Sequence, residues 1–260
     1  MNVFQAFLLG IIQGLTEFLP VSSSGHLEIG HHLLGVKGHN NLLFAVVVHG
    51  ATVLSTLVVF RKDIQALCKG LFAFQWNDET RYILMLFLSA VPVAVLGLFF
   101  RTQIEELFTG NLVFVGSMLI ATASLLAFTY FAKSKGKPIG WLDSLIIGVS
   151  QAMAVMPGIS RSGSTIAVGL LLGKKKEDMA RFSFLMVLIP IISANCIDLF
   201  SHSSTEPGEV GALPLAVGFV AAFISGLLAC KWMIKIVKQG KLIYFAAYCL
   251  VIGLIAIFAG

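Results

Sequence analysis

Between Gln13 and His26 the chain reads QGLTEFLPVSSSGH, placing a carboxylate, three hydroxyls and an imidazole inside sequence otherwise suited to lipid or a buried core. An acidic side chain at membrane depth costs about 2.5–3.5 kcal/mol on insertion scales, so Glu17 is expected to face a polar cavity. Gln13 and Glu17 are four residues apart. On a helix from Val3 to Leu19 they share a face and aim an amide and a carboxylate at one point. Pro20 ends that helix. Ser22, Ser23 and Ser24 are N-cap residues for a second helix, Gly25 lets a ligand approach the backbone, and His26 falls in the first turn. Such a helix start carries unpaired N–H groups and a partial positive charge, which seat a phosphate or carboxylate.

A second stretch, PGISRSGST from Pro157 to Thr165, supplies the cation that the first lacks. The planar fork of Arg161 matches phosphate oxygens bidentately, and it too sits at a serine-capped helix start with Ser160, Ser162 and Gly163 around it. Brought together, the two stretches hold the parts for phosphoryl transfer. Arg161 and backbone amides stabilise phosphate charge, Ser22, Ser23 or His26 offers a nucleophile, and Glu17 orients a base or holds a cation. A structural Glu17–Arg161 pair that only stitches the two segments is the competing reading.

The elements that must position these residues are membrane helices. The chain is 57% hydrophobic and 12% charged, which excludes an ordinary soluble domain. Six runs, Leu42–Phe60, Tyr82–Phe100, Asn111–Ala132, Phe182–Phe200, Val210–Cys230 and Leu242–Ala259, approach the roughly 20 residues needed to cross a bilayer. Lys and Arg gather in short connections (Arg61–Arg81, Lys133–Lys137, Lys174–Arg181, Lys231–Lys241), so the net charge of +5 reads as membrane orientation rather than nucleic-acid binding. The stretch Ile139–Gly173 has basic flanks on one side and must enter and return, broken at Pro157-Gly158. By the same count Val3–Leu34, broken at Pro20, is a hairpin entering from the opposite, outer side. The expected fold is therefore an all-α polytopic membrane protein with six full spans and two re-entrant hairpins. Both breaks run from a Gln (Gln13, Gln151) through an apolar stretch to Pro (Pro20, Pro157) and then Ser-x-Ser-Gly. One hairpin plus three spans in each half makes residues 1–136 and 137–260 an inverted-topology repeat, in which the broken helices meet near the midplane.

The first break resembles the (E/Q)xxxE and serine–glycine–histidine signature, and the second the PGxSRSGxT signature, of bacterial undecaprenyl-diphosphate phosphatases of the bacitracin-resistance type. The resemblance extends over nearly the whole chain. It implies a multi-pass inner-membrane enzyme that removes the terminal phosphate of the C55 polyprenyl diphosphate on the outer side, recycling the carrier lipid for wall polymers. It also implies a divalent cation, Mg²⁺ or Ca²⁺. By position, Gln13 and Glu17 fill the acidic motif and the metal role. Ser22, Ser23 and His26 fill the serine–histidine motif, and Arg161 with Ser160 and Ser162 the phosphate-binding one. Ser24, Gly25, Gly163 and Thr165 join the phosphate cradle. Gln13 stands where many relatives carry a second Glu, which leaves Glu17 as the only side-chain carboxylate of the motif. Within this reading His26 attacks or activates Ser23, with Glu17 orienting it.

Other polar residues carry weaker expectations. His49 is a cavity-wall candidate or a packing histidine; Glu28, His31 and His32 are read as rim residues, His39 and His202 as external, and Lys174–Lys176 as orientation charges. Cys68, Cys196, Cys230 and Cys249 are scattered, without disulfide or metal spacing. Gly218 and Gly226 offer close helix packing, of use within the chain or in a homodimer. The rival function is a secondary transporter or lipid flippase, since inverted repeats with broken helices also build transporters. Transport needs an anion clamp but no nucleophile and base, and Ser23, His26 and Glu17 favour catalysis.

Overall fold

Helix α1 (Val3–Phe18) begins at a capping box in which the Asn2 side chain accepts the Gln5 N–H and the Gln5 side chain accepts the Asn2 N–H, each at 2.8 Å. At Leu19 the backbone turns extended ahead of Pro20, which cannot continue a helix. Helix α2 (Ser23–Leu33) restarts from a Ser22 cap and packs against α1. Then follow α3 (Leu42–Val59), α4 (Arg61–Leu71), α5 (Asp78–Phe99), α6 (Arg101–Glu105) and α7 (Leu112–Phe128), the last extended by a 3-10 turn to Phe131. A second pair packs across a break, α8 (Trp141–Met153) and α9 (Arg161–Leu171), followed by α10 (Lys176–Met186), α11 (Leu188–Ser201), α12 (Ala212–Gln239) and α13 (Ile243–Ala259). The computed structural model describes residues 1–36, 42–107, 110–201 and 210–259; among them the only β pairing is an isolated bridge between Lys137 and Lys174. His39, His202 and the loop before Val210 lie outside the described residues.

The protein is a multi-pass membrane protein. Four helices are long and apolar enough to cross a bilayer: α5, α7 with its extension, α10–α11 taken together, and α12. The pair α3–α4, bent by 75°, counts as a fifth. Helix α13 is apolar but only 17 residues long, so length and composition qualify four or five of the six expected spans.

Three expectations about the connections are revised. The basic stretch after α3 is a helix, α4, because Leu67 is buried in the core while Arg61, Lys62 and Lys69 stay on the solvated side. Helix α12 runs well past Cys230, since its lysines are good helix formers and the αL residue Gly240 supplies the stop. Lys174 is not an orientation charge: it is buried, its ammonium pairs with Asp143 and donates to Pro138 O at 3.2 Å, and it ties the end of α9 to the start of α8.

The core draws on both halves, with Phe18, Leu119, Ile147, Ile166, Phe184 and Met233 in one buried cluster. Helix α1 packs on α12, α12 on α3, α8 on α5 and α7 on α13. The α1–α12 contact is backbone-close. A Cβ on Gly14 would collide with Ser225 Oγ and Ala222 O. Toward α3, Gly218 and Gly226 of α12 face Phe44 and Ser55, so they serve packing inside the chain.

The two breaks meet. A Cβ on Gly25 would stand 3.1 Å from Gly158 Cα, and one on Gly163 would stand 3.2 Å from Pro20. Non-helical backbone in an apolar setting needs partners for its polar groups, and neighbouring helices provide them. Leu19 O accepts Ser162 Oγ–H at 3.2 Å, and Pro20 O accepts the Cys249 thiol at 3.6 Å. Thr122 on α7 donates to Gly158 O at 3.0 Å and accepts the Ser160 N–H at 3.1 Å. Gly158 has φ +99°, and a Cβ there would meet Val115 O at 2.5 Å, so only glycine fits.

Candidate active site

Glu17 lies at the last turn of α1, four residues after Gln13 and facing the start of α2 and of α9. Its Oε1 accepts Arg161 Nη2–H at 3.0 Å across 144 positions of sequence. Its Oε2 accepts Ser23 Oγ–H at 2.6 Å and Gln13 Nε2–H at 3.0 Å, with His49 Nε2 at 3.9 Å. The carboxylate is nearly sealed, the Glu17 side chain being 8% exposed, while the Arg161 side chain is 27% exposed. A buried carboxylate persists only when paired and hydrogen-bonded, and here three donors meet that need.

Both helix starts are serine-capped, as the sequence suggests. Ser22 Oγ accepts the Gly25 N–H at 3.3 Å, and Ser160 Oγ accepts the Gly163 N–H at 3.0 Å. Ser22 is held at φ +69°, a region unfavourable for a residue with a Cβ, so the first break stores strain beside the site. Thr165 donates to Arg161 O at 2.9 Å and shares a 2.6 Å hydrogen bond with Ser183.

A cavity of about 230 Å³ opens onto this junction, walled by Glu17, Ser23, Ser24, His49, Gln151, Ser160, Arg161 and Ser162. A smaller one, about 20 Å³, lies against the same Glu17–Arg161 pair and is lined by Thr52, Thr56, Thr165 and Ser183 with Phe18 and Phe184. Hence Glu17, Ser23, Ser24, Arg161, Ser160 and Ser162 are brought together, with Gln13 behind the carboxylate. His26 is not among the cavity walls. Its Nδ1 is 2.9 Å from Ser22 O, its Nε2 is 2.9 Å from Tyr248 Oη, and its ring stacks on Tyr248 at 5.6 Å. The residue touching Ser23 is therefore Glu17 itself. Among the described residues no three His, Cys, Asp or Glu side chains cluster as a metal site.

A family model described as bacitracin resistance protein BacA matches residues 6–255. This chain belongs to the BacA family. Among BacA-family relatives, an undecaprenyl-diphosphatase of Parabacteroides distasonis is 55% identical over 260 residues, covering 99% of this chain and 98% of the relative. One from Bacteroides thetaiotaomicron is 54% identical with the same coverage. A more distant one from Carboxydothermus hydrogenoformans is 39% identical over 97% of this chain and 95% of its own length. His49, a cavity-wall candidate in the sequence, does line the cavity, and the fold adds that its Nε2 stands 3.9 Å from Glu17 Oε2. Two other residues of this BacA-family junction have no ranked place in the sequence. Tyr248 sits 222 positions from His26, in a helix without a motif. Gln151 was visible only as the counterpart of Gln13.

Proposed function

We propose that this chain is an integral membrane phosphatase that hydrolyses undecaprenyl diphosphate to undecaprenyl phosphate and inorganic phosphate, recycling the carrier lipid for cell-wall synthesis and conferring bacitracin resistance. The observation that carries the reading is Ser23 Oγ at 2.6 Å from one oxygen of Glu17 while Arg161 holds the other at 3.0 Å. A hydroxyl donating to a buried carboxylate is a nucleophile beside its base, and a guanidinium with two serine-capped helix starts is an anion seat.

Glu17 takes the Ser23 proton as Ser23 Oγ bonds the terminal phosphorus, and it hands that proton to the bridging oxygen as the bridging P–O bond breaks and the lipid monophosphate leaves. The carboxylate, ionised again, takes a proton from the water that attacks the phosphoserine and returns it to Ser23 Oγ as the Oγ–P bond breaks, freeing inorganic phosphate and restoring Ser23. Arg161 and the N–H groups at the starts of α2 and α9 take up the charge on the equatorial oxygens as it develops. Ser24, Gly25, Ser160, Ser162 and Gly163 shape the phosphate cradle, Thr165 fixes the first turn of α9, and His26 on Tyr248 fixes that of α2. A divalent cation fits this donor set only as a guest shared with substrate. Glu17 Oε1 accepts one hydrogen bond, from Arg161, and Gln13 Oε1 is a buried oxygen without a partner among the described residues. The remaining ligands would be diphosphate oxygens and water, as Mg²⁺ prefers. Bound there, the cation would neutralise diphosphate charge.

Both broken pairs read as re-entrant hairpins. Their arms of 16, 11, 13 and 11 residues reach at most about 24 Å, short of about 30 Å of hydrocarbon. The inverted repeat of residues 1–136 and 137–260 is supported by packing that exchanges under it: α1 lies on α12 as α8 lies on α5, with α7 against α13. The distribution of Lys and Arg supports a cavity open to the outer, periplasmic side, and membership of the family supports an inner-membrane location. The deciding assay uses purified protein in detergent with a polyprenyl diphosphate. Release of inorganic phosphate is expected without any gradient; substrate binding without release would instead identify a transporter or flippase.

A further inference from the structure

Gln151 lies in the last turn of α8 and is 1% exposed. Neither its Nε2 nor its Oε1 has a hydrogen-bond partner among the described residues. It walls both cavities, sharing each wall with Glu17, Arg161 and Ser162. A buried carboxamide with both groups unpaired is a standing loss of stability, which native structures rarely tolerate away from functional sites.

The comparison with Gln13 explains why this amide is free. Gln13 occupies the same place before the first break, and its Nε2 donates to Glu17 four residues on. Four residues after Gln151 the chain carries Val155 instead of a carboxylate, and α8 has already ended. The first glutamine positions the acid, whereas the second has donors with nothing among the described residues to receive them. The ligand of this pocket, on the phosphatase reading, is rich in anionic oxygens and poor in donors. Arg161 and the backbone amides meet part of that acceptor demand, and a neutral donor adds to it without competing for the Glu17 carboxylate.

We infer that Gln151 is a substrate-binding residue that donates its Nε2–H to a phosphoryl oxygen of the diphosphate; the inference rests on the phosphatase reading above and extends it. Gln151→Met keeps length and volume but removes both polar groups. Gln151→Glu keeps the shape but replaces the donor with an anion. Farnesyl diphosphate, a short polyprenyl diphosphate, serves as substrate for detergent-purified protein. Gln151→Met is expected to lower kcat/KM by about 10- to 100-fold, the value of one hydrogen bond to a charged partner, with a thermal midpoint equal to or above that of the unsubstituted protein. Gln151→Glu is expected to lose more, chiefly through KM, and carries the test if the Met variant does not fold. A residue that only packs would instead lower the thermal midpoint and leave kcat/KM alone, and that result overturns the inference. A second readout separates this failure from that of the phosphatase reading. Inorganic diphosphate should raise the thermal midpoint of the unsubstituted protein and do so less for Gln151→Met. That difference supports the inference even where no phosphate is released, while equal protection of both proteins overturns it.

Discussion

Replacing Ser23 with Ala separates the two roles that the structure gives this hydroxyl. In stability the change is small. Ser22, not Ser23, caps α2, and alanine is a good helix former at the first position. The lost hydrogen bond is to a carboxylate, worth about 1.5–3 kcal/mol. Glu17 nevertheless keeps Arg161 and Gln13 at 3.0 Å each, so a net cost near the lower end, about 1–2 kcal/mol, is expected. In catalysis the change is large. Without the attacking oxygen, only charge stabilisation and positioning remain, and losses of about 10³-fold or more accompany removal of an activated nucleophile. The control is Ser24→Ala, which walls the same cavity but whose hydroxyl lies 3.3 Å from Ser22 Oγ; a loss of about 10-fold or less is expected there. Phosphate release from a polyprenyl diphosphate measures both variants, and mass spectrometry of acid-quenched protein looks for phosphate on the peptide containing Ser23. Ser23→Ala retaining more than about a tenth of the activity, with no phosphorylated peptide in the unsubstituted protein, would refute the role given to this hydroxyl.

Arg161→Lys keeps the charge but loses the planar fork, so kcat/KM for phosphate release is expected to fall by about 10- to 100-fold; activity within twofold of the unsubstituted protein would show that the fork is not used. Thr122→Val removes both hydrogen bonds that α7 makes to the second break, and thermal unfolding in detergent is expected to register a loss of about 1–3 kcal/mol. Gly14→Val places a branched side chain against Ser225 and Ala222. It should prise α1 from α12, lowering the unfolding midpoint and activity together; an unchanged midpoint would mean that the two helices are not so closely packed.

The junction of the two breaks was legible because its chemistry is out of place. A carboxylate, a guanidinium and capped serines stand out in sequence where nearly everything else suits lipid, and Pro20 and Pro157 mark where helices must stop. That Glu17 and Arg161 meet followed from topology rather than from local pattern. What the sequence hid were contacts made by ordinary residues at long range. Tyr248 reaches His26 from the last helix, and that contact takes the imidazole away from Ser23. Lys174 carries the same charge as Lys175 and Lys176, yet it is buried against Asp143, because the end of α9 returns to the start of α8. Helix α4 reads as a basic loop because its apolar stripe is narrow. Gly218 and Gly226 offer packing without naming a partner, and the fold supplies one inside the chain.

The most direct test of the junction as the seat of hydrolysis is Glu17→Gln, assayed for inorganic phosphate released by folded, detergent-purified protein. Glutamine keeps the shape and one acceptor oxygen where the carboxylate offers two, one to Arg161 and one to Ser23, and it cannot take a proton; a general base contributes about 10²–10⁴-fold. Release at least about 100-fold below that of the unsubstituted protein is expected. Release within about threefold, from protein that melts normally, would contradict that role for Glu17.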